Sequence, residues 1–536
     1  MASLNLRSGV LGKRLAAHLL RRTSYVVTPA RIEAFANKTA DQAINELFTI
    51  PDLTHPEGPI NYIDGNTAWL TTGPYNYNAG NGTRQRWGVQ LWMFNEMIHD
   101  SSIRQKMAMF FHSIFVTAND TDWRYFDHYR LFLMFATGNI KTISQKVTMS
   151  SKMLRYLNNN VNSKNSPNEN YAREFMELFT ILKGPQLQTG NYTNYTEYDI
   201  QQAARVLTGF KDSNFDNKDP ETGLATGYAN YGNHDKGNKS FSAAFQNQTI
   251  LGAVDAEDMF RELSDFVEMI FGQMETARAF VRRMYRFFVS DRLTTEVEND
   301  IITPLASQLY NDNYDLVNTL KTLLKSLHFY DEDDSSSTDE IIGGKIKSPL
   351  ELYLSSLNLF DANNIGVLNN NPEYYNGLAY NLIWRILDPM GFPDAALSVE
   401  GYPGFYKDPG FSKFWIDQAT MPHRYRLAYG LLAGKTITGN STVPFKVDTV
   451  QLVEQNFNNV EYADQLMLQI LELTLPEMPD QDRYNYFKDK LLGSLSPINW
   501  YFEWHNYTQN GDSTAVRIAL DTLFESLASS PEFQTF

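Results

Sequence analysis

Apolar side chains recur at three- and four-residue spacings along most of the chain, which is the period of amphipathic α-helices. The first stripe contains Leu11, Leu15 and Leu19, together with His18, which we interpret as a core histidine. The strict alternation of apolar and polar positions that marks strands is scarce. The pattern therefore predicts a mainly α fold: a large multi-helix globular protein with long irregular loops and at most a short β-hairpin. Residues 211–249 are predicted to form either that hairpin or an irregular lid.

Capping residues mark several of the predicted helix starts. A Ser or Thr before the first turn, with Pro next or an acid three residues later, is typical of a helix N-terminus. The chain has four such starts: Thr28 followed by Pro29, Asp100 with Ser101, Thr196 with Asp199, and Ser348 followed by Pro349 with Glu351.

An acidic, Ser-rich run, DEDDSSSTDE at residues 331–340, separates two long helical stretches. Such a composition favours a solvated hinge or loop. We therefore predict two helical lobes, residues 1–330 and 345–536, joined through residues 331–344.

Charge and composition exclude several classes of function. The net charge of the 536 residues is -16, which argues against nucleic acid as a partner. The chain has no cysteine, so a metal-thiolate site is excluded and a divalent metal would need His, Asp or Glu ligands. We find no apolar run long enough to insert into a membrane and no signal-peptide core. The expectation is a soluble protein, cytoplasmic by default, with export alongside a partner or a periplasmic location left open.

The segment NENYAREFMEL carries the densest set of candidate catalytic residues. On a helix, Glu169, Arg173 and Glu177 fall four residues apart on one face, and Glu174 lies on its flank. Carboxylates beside buried apolar side chains are paired, bind metal, or have raised pKa values. One interpretation is an acid/base or metal site. The other is a structural network in which Arg173 clamps Glu169 and Glu177, and Asn168 caps the helix.

The polar block NHDKGNK is the second candidate site. A His beside an Asp forms a metal-ligand pair or an oriented general base, so His234 and Asp235 are candidate catalytic residues. Lys239 is a candidate substrate-binding residue because it would hold an anionic group. The alternative is a turn with incidental polar residues.

His112 and the aromatic segment at residues 399–416 complete the candidates. Tyr402 and Trp415 are candidate substrate-binding residues, since Gly- and Pro-rich aromatic segments form carbohydrate-stacking surfaces, although they also pack irregular loops. His112 is either a metal ligand or a hydrogen-bonded structural histidine. The candidate metal ligands are His112, Glu174, His234 and Asp235.

Seven ordered blocks make the chain resemble the bacterial DUF1800 family, a domain of unknown function, from about residue 11 to residue 533. They are AAHLLRRTSY, FFHSIF, PNENYAREFMELFT, YTEYDIQQAARVLTGF, NHDKGNK, KSPLEL and VEGYPGFYKDPGFSKFWI. Family members often have a second His where this chain has Ile114, which argues here against a paired-His metal site.

The resemblance implies little about activity, because the family has none established. Genes of the family often lie beside those for exported proteins resembling the alkaline phosphatase superfamily, which implies a partner of that kind. One hypothesis is therefore a helical accessory or scaffold protein that acts with such a partner. The alternative is a hydrolase-like enzyme with a Glu/His/Asp acid-base or metal site.

Overall fold

Helices account for most of the described chain, as the periodicity predicts. The structure is a computed structural model. It describes residues 2–50, 82–117, 123–213, 216–334, 341–360, 386–391, 402–434 and 447–536. The prediction of a mainly α fold is confirmed.

The helices before residue 334 form the larger set. They are α1 (Gly12–Thr23), α2 (Pro29–Ala36), α3 (Ala40–Leu47), α4 (Gly82–His99), α5 (Arg104–Ile114), α6 (Trp123–Met134), α7 (Ile140–Met149), α8 (Ser151–Tyr156), α9 (Glu169–Glu174), α10 (Glu197–Val206), α11 (Asp258–Phe271), α12 (Met274–Phe288), α13 (Thr295–Val297), α14 (Thr303–Asn311) and α15 (Leu316–Leu324). One π-helical turn, Phe175–Phe179, continues α9, and another, Glu298–Ile302, joins α13 to α14.

The helices after residue 341 are α16 (Pro349–Leu359), α17 (Pro403–Tyr406), α18 (Thr420–Ala433), α19 (Thr449–Asn456), α20 (Ala463–Thr474), α21 (Gln481–Leu492), α22 (Pro497–Asn510) and α23 (Thr514–Ala528). Among the described helices, none combines the length and the apolar content needed to cross a membrane.

Three of the four predicted caps are present, and the one at Asp100 and Ser101 is wrong, because α5 begins at Arg104 without a side-chain cap. The Thr28 hydroxyl accepts a hydrogen bond from the Arg31 amide, with Pro29 as the first residue of α2. Capping boxes with both reciprocal hydrogen bonds open α10, at Thr196, and α16, at Ser348. These starts are local chemistry, which is why the sequence alone predicts them.

Strands are short and few. The described residues form three two-stranded antiparallel ladders, rather than the single hairpin expected. The ladders pair β1 (Gln186–Gln188) with β2 (Asn191–Tyr192), β3 (Phe210–Lys211) with β4 (Tyr228–Ala229), and β5 (Lys239–Ser240) with β6 (Thr249–Ile250). The last two fall in the region predicted for the hairpin.

Helix α1 lies in the interior and is bonded to distant segments. His18 is buried and its Nε2 lies 2.9 Å from the Phe329 carbonyl oxygen, which confirms it as a core histidine. The Arg21 guanidinium donates to the Leu473 carbonyl at 2.6 Å. Arg22 donates to the Ile341 carbonyl at 3.1 Å. Helix α1 is thus hydrogen-bonded to backbone carbonyls that lie both before and after the acidic segment at residues 331–340.

The division into two lobes stays a prediction. Residues 335–340 of the predicted hinge lie outside the described residues. One connected cluster of buried apolar side chains extends from Leu11 to Phe533.

Candidate functional site

The NENYAREFMEL segment forms α9 and the π-helical turn that follows it. The Asn168 side chain accepts a hydrogen bond from the Asn170 amide at 2.9 Å, as the capping prediction requires. The apolar side chains between the charged residues are buried, including Tyr171 and Phe175. The helical segment ends at Phe179, where the Thr180 hydroxyl donates a hydrogen bond to the Phe175 carbonyl.

Arg173 connects two carboxylates at the surface. Its guanidinium donates to Glu169 at 3.0 Å and to Glu197, the first residue of α10, at 3.0 Å. The hydrogen bond from Arg173 lowers the pKa of Glu197. Arg173 therefore pairs with Glu169, as predicted, but its second carboxylate partner is Glu197 and not Glu177.

Glu177 and Glu174 have other surroundings. Glu177 accepts a hydrogen bond from the Tyr195 hydroxyl at 3.1 Å and forms an ion pair with Lys183. Glu174 is half-buried and lies near Tyr156, where burial and then this carboxylate raise the pKa of the phenol. The catalytic roles of Glu169, Arg173, Glu174 and Glu177 stay predictions.

The NHDKGNK block contains a fully buried charge cluster. His234 Nδ1 lies 2.8 Å from the Thr208 carbonyl oxygen, and its Nε2 lies 3.0 Å from Oε2 of Glu262. The Lys239 ammonium lies 2.5 Å from the other oxygen of Glu262. Side chains of all three charged residues are fully inaccessible. Glu262 therefore bridges His234 and Lys239 in the interior.

Asp235 is bonded to Arg205 and not to His234. The Arg205 guanidinium donates to both carboxylate oxygens, at 2.8 and 3.1 Å, and the Gly237 amide donates at 2.9 Å. Burial raises the pKa of Asp235, but the Arg205 guanidinium lowers it by more, so the pKa lies below its ordinary value. Asp235, which would orient His234 as a general base, therefore binds Arg205 instead. The catalytic roles of His234 and Asp235 stay predictions.

The two polar networks lie at opposite ends of α10. Glu197 at its start belongs to the Arg173 network, and Arg205 near its end belongs to the Asp235 network. Eight residues of α-helix separate them by about 12 Å. No contact of the described residues joins Arg173 or Glu169 to His234 or Asp235.

Sequence reasoning missed Glu197, Arg205 and Glu262. Glu262 had a usable signal, because it lies on the apolar stripe of α11 with Met259 and Phe266, where an unpaired carboxylate would be costly. Nothing local to Glu197 or Arg205 indicates which residue each one binds.

His112 meets the aromatic segment in the interior. Its ring centroid lies 5.9 Å from that of Tyr402 and 6.1 Å from that of Phe132. Neither ring nitrogen has a hydrogen-bond partner in the described part of the chain, so the expected hydrogen-bonded histidine is wrong. Burial lowers the pKa of His112 to about 4, which makes the ring neutral at pH 7.

Tyr402 and Trp415 are both buried. Phe405 lies between them, with its centroid 6.1 Å from Tyr402 and 5.5 Å from Trp415. A Cβ on Gly404 would lie 2.1 Å from the Trp415 ring, so this glycine permits the close packing. Residues 399–401 lie outside the described residues. The substrate-binding roles of Tyr402, Trp415 and Lys239 stay predictions, although all three side chains are buried here.

A small polar cavity, not anticipated from the sequence, adjoins His128 and Ser150. Its volume is about 20 Å³, room for about one water. His128 Nε2 donates to the Phe115 carbonyl at 3.0 Å, and Nδ1 lies 3.4 Å from the Ser150 hydroxyl, which itself caps α8. Burial lowers the pKa of His128 to about 3, so the ring is a weak base.

Among the residues that the structure describes, no three His, Asp or Glu side chains are grouped so that they could hold a metal ion. His112 lies among aromatic rings, Glu174 near Tyr156, and His234 and Asp235 in the NHDKGNK cluster. The structure does not bring these four candidate ligands together.

Comparison with known proteins gives one result. No curated protein and no solved structure matches the chain. A family model described as a protein of unknown function (DUF1800) matches residues 18–535, which is nearly the whole sequence. The chain therefore belongs to the DUF1800 family.

Proposed function

We propose that the chain is a non-catalytic helical accessory protein that binds a protein partner through an exposed aromatic patch on α22. The patch consists of Tyr462, Leu495, Ile498, Tyr501 and Phe502, and is called the α22 patch below. The single observation that carries the proposal is the exposure of Phe502, at 62%, beside Ile498, at 55%.

Four members of the α22 patch, all except Leu495, adjoin one another. Ring centroids of Tyr462 and Tyr501 are 5.9 Å apart, and those of Tyr501 and Phe502 are 5.8 Å apart. Ile498 lies one helical turn before Phe502 on the same face. Adjoining exposed aromatic and aliphatic side chains are typical of a protein interface, whereas single exposed apolar residues are ordinary.

The partner chemistry follows from the border of the patch. Glu461 precedes Tyr462, and the exposed Glu503 follows Phe502. A complementary surface is apolar at its centre and carries Lys or Arg at its rim. The family resemblance adds the type of partner, an exported protein resembling the alkaline phosphatase superfamily.

The candidate acid/base residues of the NHDKGNK block are already paired with other side chains, which supports a non-catalytic role. Glu262 lies between His234 and Lys239, and Asp235 is held by Arg205 in two hydrogen bonds. A general base needs a free lone pair within reach of substrate. These groups instead bind one another, which favours the accessory proposal over the hydrolase-like alternative.

The test is binding between the purified chain and an alkaline-phosphatase-like exported protein from the same host, measured by titration calorimetry. A complex should form, and Ile498→Glu and Phe502→Glu should each weaken it at least about tenfold, because a buried charge without a partner replaces an apolar contact. Leu187→Glu is the matched control, since Leu187 is 70% exposed in the β1–β2 ladder outside the patch. Absence of a complex, or equal affinity for all variants, would contradict the proposal.

A further inference from the structure

A second feature of the surface is a cleft between the α1–α2 region and the α19–α20 region. Its volume is about 490 Å³, within the range of about 300 to 1,000 Å³ that is usual for small-molecule sites. Its lining includes Ile32 from α2, Gln455 and Asn456 from α19, Phe457 and Asn458 from the loop that follows α19, and Glu472 from α20. It is called the α2–α20 cleft.

Side-chain amides dominate the polar part of the cleft. The Asn456 amide nitrogen donates to the Leu452 carbonyl at 2.9 Å, which orients its carbonyl oxygen as an acceptor. Gln455 and Asn458 are exposed and add two more amides. Each amide both donates and accepts hydrogen bonds. A ligand rich in hydroxyl groups matches this lining.

The loop that carries Asn458 is fixed before any ligand arrives. The Gln469 side chain accepts a hydrogen bond from the backbone N–H of Asn458 at 3.0 Å and donates one to the backbone carbonyl of Asn458 at 2.7 Å. This two-point attachment ties the loop to α20. An already ordered loop reduces the entropy lost on binding.

An apolar part of the lining accompanies the amides. Phe457 is 9% exposed and Ile32 is 5% exposed, and both belong to the cleft wall. An apolar wall beside hydrogen-bonding groups suits a pyranose, which presents C–H groups on one face and hydroxyls at its rim.

The net charge of the cleft disfavours anionic ligands, and its polar lining disfavours apolar ones. Lys13 forms an ion pair with Glu33 at 3.0 Å, and Glu472 adds a further carboxylate, so these three lining residues sum to a formal charge of −1. That balance disfavours phosphates and uronic acids. The amide-rich lining also disfavours a purely apolar ligand, because its polar groups would lose water without a replacement partner.

We infer that the α2–α20 cleft binds a neutral oligosaccharide, with Gln455, Asn456 and Glu472 receiving its hydroxyls and Phe457 contacting one sugar face. This site is separate from the α22 patch and does not depend on the partner proposed for it. Binding needs no rearrangement, since Gln455 and Glu472 are already exposed.

The experiment is calorimetric titration of the full chain with four neutral trisaccharides: cellotriose, maltotriose, mannotriose and chitotriose. At least one should bind with a Kd of about 1 mM or lower. Glu472→Ala and Gln455→Ala should each weaken that binding about tenfold, the loss expected for one hydrogen bond to ligand. Glu525→Ala, which removes an exposed carboxylate on α23, is the matched control and should leave the Kd unchanged.

Two comparison ligands separate the charge-based alternatives. Trigalacturonic acid tests for an anion site, and trilysine tests whether Glu472 merely attracts cations. The inference is overturned if no neutral trisaccharide binds, if only a charged comparison ligand binds, or if both cleft variants retain the wild-type Kd. Because the substituted side chains are exposed, unfolding of the variants is not expected, and their melting temperatures check this.

Discussion

The Lys106 ammonium on α5 lies 2.6 Å from Oε1 of Glu351 on α16, and both side chains are buried. The other oxygen of Glu351 accepts the Ser348 amide at 2.9 Å, so one carboxylate closes a capping box and neutralises a distant lysine. Burial alone raises the pKa of Glu351, but Lys106 and Lys345 lower it to about 2. A residue that caps a helix therefore also ties that helix to α5.

Replacing this carboxylate should destabilise the protein strongly. Glu351→Gln keeps the shape but leaves the Lys106 charge buried without a counter-charge, which costs about 3–5 kcal/mol. Urea unfolding measures the loss. Glu477→Gln breaks the exposed pair with Arg14 and serves as the control, with a change below about 1 kcal/mol. Equal effects of the two substitutions would refute a special role for the buried pair.

His112 should make the protein sensitive to mild acid. Its pKa is about 4 in the folded chain against 6.5 ordinarily, so the unfolded state binds more protons between these values. Stability is therefore lost as pH falls from 6.5 to 4, by about 3 kcal/mol. His112→Phe should remove this part of the pH dependence in unfolding curves. Phe132→Leu, in the same cluster, should shift stability equally at each pH; parallel curves for His112→Phe and wild type would disprove the prediction.

The Glu262 cluster should behave as a coupled unit. Glu262→Leu leaves the Lys239 ammonium buried and uncompensated, at a cost of about 3–5 kcal/mol. Adding Lys239→Met removes that charge, so the double variant should be more stable than Glu262→Leu alone. A double-mutant cycle by denaturant unfolding measures the coupling. Additive losses would show that the two side chains act independently.

Gly209 should tolerate no side chain. Its φ is +81°, and a Cβ there would lie 2.7 Å from the Asn230 carbonyl oxygen and 3.1 Å from the His234 Cβ. Gly209→Ala should therefore lower stability by about 2–4 kcal/mol, through conformational strain and displacement of the His234 loop. Gly223→Ala is the matched control, since its φ is +68° but a Cβ would meet nothing within 4 Å. Thermal unfolding of the two variants should differ accordingly, and equal melting temperatures would contradict the clash.

Features fixed by neighbouring residues were predictable from the sequence, and features fixed by distant residues were not. The Ser348–Glu351 capping box needs only a four-residue segment, so the sequence indicates it directly. The pairing of Glu351 with Lys106 joins residues 245 positions apart, and no local pattern identifies it. The same reason explains why the sequence pairs Arg173 with Glu177, four residues along the same helix, whereas its second carboxylate is Glu197 of α10.

The anchoring of α1 has a consequence for how the chain is made. Arg21 donates to the Leu473 carbonyl, 452 residues later. At about 5–20 residues per second, the ribosome supplies that acceptor roughly 20 to 90 seconds after α1 has emerged. The final contacts of α1 therefore form only after the C-terminal region has been synthesised, and a chain that stops before Leu473 lacks this acceptor for Arg21.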